Sequence, residues 1–158
     1  MEVTSWSYIY FYLLTGIIET LHGGIQQVEG LALDWLADNI YWIDAVGKKL
    51  EVSRADGRFR KVIISNLDRP RAIVLDPVAG YMYWTDWGTH AKIERSYMTG
   101  AGRAAIVSSD LQWPNGIAID FVARKLYWTD AGKDRIERSN LDGSYRQVNC
   151  VYRMLLVS

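Results

Sequence analysis

A tetrapeptide that occurs three times at a nearly constant spacing constrains this chain more than any other feature of its sequence. The copies are Tyr41-Trp42-Ile43-Asp44, Tyr83-Trp84-Thr85-Asp86 and Tyr127-Trp128-Thr129-Asp130, spaced by 42 and 44 residues. Two further landmarks keep step with it: an Asp seven residues before each Tyr, and a Glu-x-Ser triplet whose Glu lies six residues before a Gly. Self-similarity at such a period indicates an array of repeated structural units.

Each unit contains four short runs rich in β-branched and aromatic residues, separated by Gly, Asp and Asn. Runs of this kind, bounded by turn residues, are typical of β-strands, and no segment shows a sustained helical period. Four antiparallel strands in a repeat of about 43 residues are typical of a propeller blade. The sequence therefore predicts an all-β fold with about three four-stranded antiparallel blades.

The repeated motif residues are predicted to be architectural. A Trp at the same strand position in every unit can fill the space between neighbouring blades, and an Asp at a strand end can accept hydrogen bonds. A catalytic acid or nucleophile would not need three copies. The predicted structural set is Tyr41, Trp42, Asp44, Tyr83, Trp84, Asp86, Tyr127, Trp128 and Asp130.

These motifs resemble the LDL-receptor class B (YWTD) repeats of the low-density lipoprotein receptor and LDL receptor-related protein family. The resemblance covers about residues 25–148 and implies a YWTD-type β-propeller of six blades, of which this chain has room for about three. It is therefore expected to be incomplete. The blades are assigned to residues 25–66, 67–110 and 111–150.

Two flanking segments stand outside the three predicted blades. Residues 1–24 are an unassigned leader that offers at most a remnant of a preceding outer strand, and residues 151–158 form a divergent tail. Asn149 stands where the other units have Ile63 and Ile106, which predicts a disrupted fourth strand in the third blade.

The charge balance and the few metal-binding residues exclude several classes of function. With 18 Lys and Arg against 18 Asp and Glu, the net charge of zero argues against a nucleic-acid partner, which requires a basic surface. The single Cys150 cannot form an intramolecular disulfide or a multi-Cys metal cluster, and only two His are present. We predict neither a cofactor nor a metal site.

The most apolar stretch, Tyr8 to Ile18, bears on location. Its eleven residues are too short to cross a bilayer, which takes about 20, so direct membrane insertion is not expected. It is only a weak signal-peptide candidate, because Glu2 precedes it and no Lys or Arg does. By the family resemblance, the parent receptor would reach the extracellular face of the plasma membrane through the secretory pathway.

Positions that align between the repeats but differ in residue type are candidates for ligand contact. Just before each inner strand lie Glu29, Arg71 and Asn115. Loops at the same end of an antiparallel blade bring further side chains to the same mouth of the propeller's central channel. Trp and Arg are residue types enriched at binding hot spots. The predicted ligand-binding set is Arg71, Trp113, Asn115, Glu29, Trp87 and His90.

The resemblance implies a non-enzymatic protein-binding module of an endocytic or Wnt co-receptor type. Its ligand would be an extracellular protein that presents an extended loop bearing an Asn to Arg71, Trp113 and Asn115. EGF-like modules would flank the propeller in the intact parent. Self-association through open blade faces is also expected, because each terminal blade exposes a face suited to a neighbour.

Two alternatives remain from the sequence. One is a truncated product with no independent function. The other is a calcium-dependent enzyme, since Pro114-Asn115-Gly116-Ile117 resembles an element of six-bladed lactonases. A cation held by Glu29 and Asn115 would be repelled by Arg71, which aligns between them, and the chain carries no G-x-S-x-G, P-loop or H-E-x-x-H motif. We predict no catalytic residues and no enzymatic activity.

Overall fold

The computed structural model describes residues 10–12 and 18–151, and every regular element within them is a β-strand. The strands are β1 (Tyr10–Tyr12), β2 (Ile18–Thr20), β3 (Val28–Asp34), β4 (Asn39–Asp44), β5 (Lys49–Arg54), β6 (Lys61–Ile64), β7 (Pro70–Asp76), β8 (Tyr81–Asp86), β9 (Lys92–Tyr97), β10 (Ala104–Val107), β11 (Pro114–Asp120), β12 (Lys125–Asp130), β13 (Arg135–Asn140) and β14 (Gln147–Val151). Within these residues, no helix is long and apolar enough to cross a membrane.

The strands assemble into three four-stranded antiparallel sheets in which each strand pairs with its neighbour in sequence. We call β3–β6 blade 1, β7–β10 blade 2 and β11–β14 blade 3. The strands β1 and β2 form a separate antiparallel pair. The all-β prediction of about three four-stranded blades is therefore confirmed.

The fourth strand of every blade carries an irregularity at one aligned position. The pairing skips Ile63 in β6 and Ile106 in β10. In β14 it skips Asn149, while Cys150 pairs with Ile136 in the third strand. The prediction that Asn149 disrupts this strand was wrong, because the residue falls at a β-bulge that lies outside the regular ladder.

Three buried clusters of apolar side chains lie on the blade faces. Trp84 belongs to the cluster between blades 1 and 2, and Trp128 to the cluster between blades 2 and 3. Trp42 packs with Ile25 and Ile40 on the opposite face of blade 1. All three indoles are almost completely buried. Each occupies the same position on its own blade, so the sheets are held together mainly by apolar burial between their faces.

The innermost strands show that burial depends on an adjacent blade. In β7, Ile73 and Leu75 are 7% and 2% exposed against blade 1. The aligned Leu31 and Leu33 of β3 are 45% and 48% exposed. The same residue types in the same sheet position therefore become buried only where another blade packs over them.

The segment after β2 lies on blade 1 much as the outer strand of each blade lies on the next. Gly100 has a φ of +89°, and a Cβ added there would lie 2.7 Å from the carbonyl oxygen of Ile63. The aligned Gly57, at a φ of +81°, faces the carbonyl oxygen of Leu21 at 3.3 Å. This packing supports the proposal that residues 1–24 include a remnant of a preceding outer strand.

Candidate functional site

The motif Asp at the end of each second strand anchors the segment that leads into the blade. Asp86 is fully buried, and its carboxylate accepts hydrogen bonds from the backbone N–H groups of Asp68 at 3.0 Å, Arg69 at 2.9 Å and Gly88 at 3.0 Å. Asp44 and Asp130 bind the corresponding segments in the same way. All of these donors are backbone groups, so the anchor does not depend on the side chains of the anchored residues.

Four of the six predicted ligand-binding residues line one cavity of about 210 Å³: Arg71, Trp87, Trp113 and Asn115. Arg71 and Asn115 are the second residues of β7 and β11, Trp87 follows β8, and Trp113 precedes β11. We call this cavity the mouth pocket. It lies where blades 2 and 3 meet, at the end of the blades that holds the motif Asp residues.

The other two predicted residues lie outside this lining. Glu29, the second residue of β3, approaches Arg71 with 4.0 Å between its Oε2 atom and Nε of Arg71. The side-chain amide of Gln27 donates a 2.5 Å hydrogen bond to its other oxygen. His90 is exposed in the loop after β8 and does not line the pocket. A ligand-binding role for each of the six residues stays a prediction.

The pocket wall combines flat apolar surfaces with hydrogen-bonding groups. Trp87 is held from one side by Arg69, whose guanidinium carbon lies 5.1 Å from an indole ring centre. The backbone N–H of Trp87 also donates to the backbone carbonyl of Arg69 at 3.0 Å. Arg71 offers N–H donors and Asn115 offers a carboxamide, while Trp113 is 49% exposed. Such a wall can hold an apolar side chain on the indoles and pair with a polar one beside it.

An Arg recurs in each blade and joins the blade to the segment that precedes its first strand. The sequence analysis did not identify it. Arg103 donates two hydrogen bonds to the buried carboxylate of Glu94, at 3.0 and 2.8 Å. It also donates to the carbonyl of Ser65 at 3.3 Å, and its guanidinium carbon lies 5.8 Å from the Trp84 ring centre. Arg60 and Arg146 repeat these contacts. The signal was present, because these Arg residues recur at intervals of 43 residues, each nine after the repeated Glu.

His22 fills the place that Ile64 and Val107 take in the other repeats. Its ring is stacked on Trp42 with centroids 5.0 Å apart, and its Nε2 atom lies 2.8 Å from Oγ of Ser53. The Ser53 hydroxyl donates its one proton to the Arg54 carbonyl, so the imidazole is the donor to Ser53. Burial lowers the pKa of His22, the Arg60 guanidinium lowers it further, and Glu51 opposes them.

Acidification from pH 7 to 5.5 is therefore expected to lower the free energy of unfolding through His22. Because the folded pKa lies below the ordinary 6.5, the unfolded chain takes up this proton first. The part of the free energy of unfolding that depends on a neutral His22 is fully present above about pH 6.5 and is lost as the pH falls below it. Urea unfolding at several pH values measures it. His22→Ile should flatten the dependence and His90→Ala, at an exposed position, should not; equal slopes for the two variants would contradict the prediction.

Among the described residues, no group of three or more His, Cys, Asp and Glu side chains is placed to hold a metal ion. At the mouth, the carboxylate of Glu29 lies beside the guanidinium of Arg71. A cation bound to Glu29 would therefore lie close to a positive charge, which is unfavourable.

Comparison with known proteins yields a family model and several similar structures. The model for low-density lipoprotein receptor repeat class B matches residues 38–77 and 80–121, about half of the chain. Low-density lipoprotein receptor-related protein 5 of Mus musculus is 51% identical over 66 residues, which is 41% of this chain and 4% of that protein. This chain therefore corresponds to a small part of that relative.

Among solved structures, a chain of a nidogen/laminin complex is 38% identical with a TM-score of 0.82, over 85% of this chain and 53% of that one. A putative gluconolactonase is 18% identical with a TM-score of 0.73, over 92% of this chain and 56% of that one. A gluconolactonase from Xanthomonas campestris is 19% identical with a TM-score of 0.61, over 79% and 47% of the two chains. At these identities the two gluconolactonases show a shared fold and nothing about activity. This chain spans about half of each matched chain.

Proposed function

Because the chain belongs to the low-density lipoprotein receptor class B repeat family, we propose that it is a non-enzymatic protein-binding module whose ligand docks at the mouth pocket. The observation that carries the proposal is that Arg71, Trp87, Trp113 and Asn115, which come from separate loops and strands, line one cavity. Two indoles and a guanidinium in one recess are side chains enriched at binding hot spots, and the carboxamide of Asn115 adds a hydrogen-bonding group beside them.

The ligand we propose is an extracellular protein that presents an extended loop bearing an Asn. A carboxamide can pair with the carboxamide of Asn115 and accept a hydrogen bond from Arg71, while a neighbouring apolar residue packs on Trp113. The structural similarity to a chain of a nidogen/laminin complex supports an extracellular protein partner. The charge on Arg71 is partly offset by Glu29, which favours a neutral amide over a carboxylate in the ligand.

The similarity to low-density lipoprotein receptor-related protein 5 supports a receptor as the parent of this module. We propose that the parent is of the endocytic or Wnt co-receptor type and lies at the extracellular face of the plasma membrane. EGF-like modules beside the propeller belong to the same proposal. The lactonase alternative is supported by similarity of fold alone. The contact between Glu29 and Arg71 disfavours a cation at that position.

Arg71→Ala and Asn115→Ala are each expected to weaken ligand binding by about thirtyfold, the effect of losing a hot-spot residue worth about 2 kcal/mol. The probe is a constrained synthetic loop peptide with one Asn, titrated against the full chain and followed by tryptophan fluorescence. A second peptide with Ala in place of the Asn should bind as weakly as the variants do.

Arg58→Ala provides the matched control, because Arg58 is an exposed cation in the turn after β5 and pairs only with exposed Asp56 in the salt bridges seen here. It should bind the peptide as the wild type does. Unchanged affinity in both Arg71→Ala and Asn115→Ala would show that the mouth pocket is not the binding site.

A further inference from the structure

One buried hydroxyl connects the backbone beside Arg71 to the backbone of Asn115. The Oγ1 atom of Thr85 accepts a hydrogen bond from the N–H of Ala72 at 3.1 Å and donates one to the carbonyl of Asn115 at 2.9 Å. Ala72 directly follows Arg71 in β7, whereas Asn115 belongs to β11 of the next blade. Thr85 is fully buried, so water does not compete for either bond.

The other two blades have only part of this connection or none of it. In blade 3, Thr129 accepts a hydrogen bond from the N–H of Gly116 at 2.9 Å, which reproduces the half within the blade. In blade 1 the aligned residue is Ile43, which carries no hydroxyl. Among the blades that the structure describes, the bond across to the next blade therefore occurs at the junction that holds the mouth pocket.

We propose that Thr85 is a positioning residue for the mouth pocket, one that sets the separation of Arg71 and Asn115 without touching the ligand. This inference rests on the proposed function. The two side chains stand on different blades, and the apolar packing between the blade faces is less directional than a hydrogen bond. A bond from Thr85 to each strand holds the two in one arrangement before the ligand arrives, which reduces the cost of ordering on binding.

The test compares two buried hydroxyls of blade 2. Thr85→Val removes the hydroxyl and keeps the branched shape. Ser96→Ala removes a hydroxyl that is equally buried but donates to the Tyr97 carbonyl at 2.9 Å, at the end of the blade opposite the mouth pocket. Thr85→Val loses two buried hydrogen bonds and Ser96→Ala loses one, so a merely structural role for Thr85 predicts a loss of stability in both variants and no effect specific to binding.

The full chain is titrated with the same Asn-bearing loop peptide, and backbone amide hydrogen exchange and order parameters are measured by NMR without peptide. Thr85→Val should weaken peptide binding about fivefold or more, speed the exchange of the Ala72 amide and lower the order parameter of Asn115. Ser96→Ala should leave all three unchanged. Wild-type affinity in Thr85→Val, or an equal loss in Ser96→Ala, would overturn the positioning role.

The ligand-free measurements keep this inference separate from the proposed function. If the wild-type chain does not bind the peptide, the proposed ligand fails while Thr85 is still judged by exchange and order parameters. Faster Ala72 exchange and a more mobile Asn115 in Thr85→Val alone would support its role in fixing the two strands. Identical values in wild type and Thr85→Val would overturn it.

Discussion

Trp84→Ala is expected to lower the free energy of unfolding by about 3–5 kcal/mol, the usual cost of removing a large buried aromatic side chain. The indole is completely buried in the cluster between blades 1 and 2, where it packs with residues from both sheets. Its loss leaves a cavity in the contact that holds the two blades together. Since domains of this size are stable by only about 5–15 kcal/mol, much of the population should unfold in mild denaturant.

Urea unfolding at fixed protein concentration, followed by far-UV circular dichroism, gives the midpoint shift. The matched control is Trp35→Ala, because Trp35 is 58% exposed in the turn after β3 and meets the ring of Phe121 edge-on. That substitution should cost about 1 kcal/mol or less, the value of one aromatic pair. Equal midpoints for the two variants would show that Trp84 does not hold the blades together.

Arg103→Met is expected to lower the free energy of unfolding by about 3 kcal/mol, because it leaves the carboxylate of Glu94 buried without its main partner. Glu94 is 4% exposed and accepts two hydrogen bonds from Arg103. Lys92 remains 3.7 Å away, which places the expected loss at the lower end of the range for a broken buried pair. The variant also gives up the bond to the Ser65 carbonyl.

Two further variants distinguish the charge effect from a general loss of contacts. Adding Glu94→Leu to Arg103→Met removes the unpaired charge and should restore part of the stability. Arg58→Met removes a surface Arg with side-chain exposure of 69% and should leave the urea midpoint unchanged. If Arg103→Met behaves like Arg58→Met, or if the double variant is less stable than the single one, the assigned role of the buried pair is wrong.

The sequence could predict the strands and their grouping because the repeat compares three copies of the same local structure. It also singled out Arg71 and Asn115, since aligned positions that differ in residue type stand out against a constant background. The misinterpretation of Asn149 has a physical origin: a β-bulge is defined by pairing across strands, which residue types alone do not reveal.

Contacts between blades were harder to predict than the blades themselves. The reach of Arg103 to Ser65, and of Thr85 to Asn115, depends on the twist and spacing of neighbouring sheets. The periodicity of Arg60, Arg103 and Arg146 was readable, but their partners were not. The role of His22 could not be predicted either, because it depends on the buried space against Trp42 that the side chain fills.

The motif Asp binds its linker through backbone groups, so the scaffold does not depend on which side chains the linker carries. Asp44, Asp86 and Asp130 bind backbone amides, which every residue except Pro supplies. Three unlike side chains, those of Gln27, Arg69 and Trp113, accordingly occupy equivalent sites on one unchanged support. Selection, natural or in a combinatorial library, can therefore vary these positions widely while the anchor, and with it the course of the main chain, stays the same.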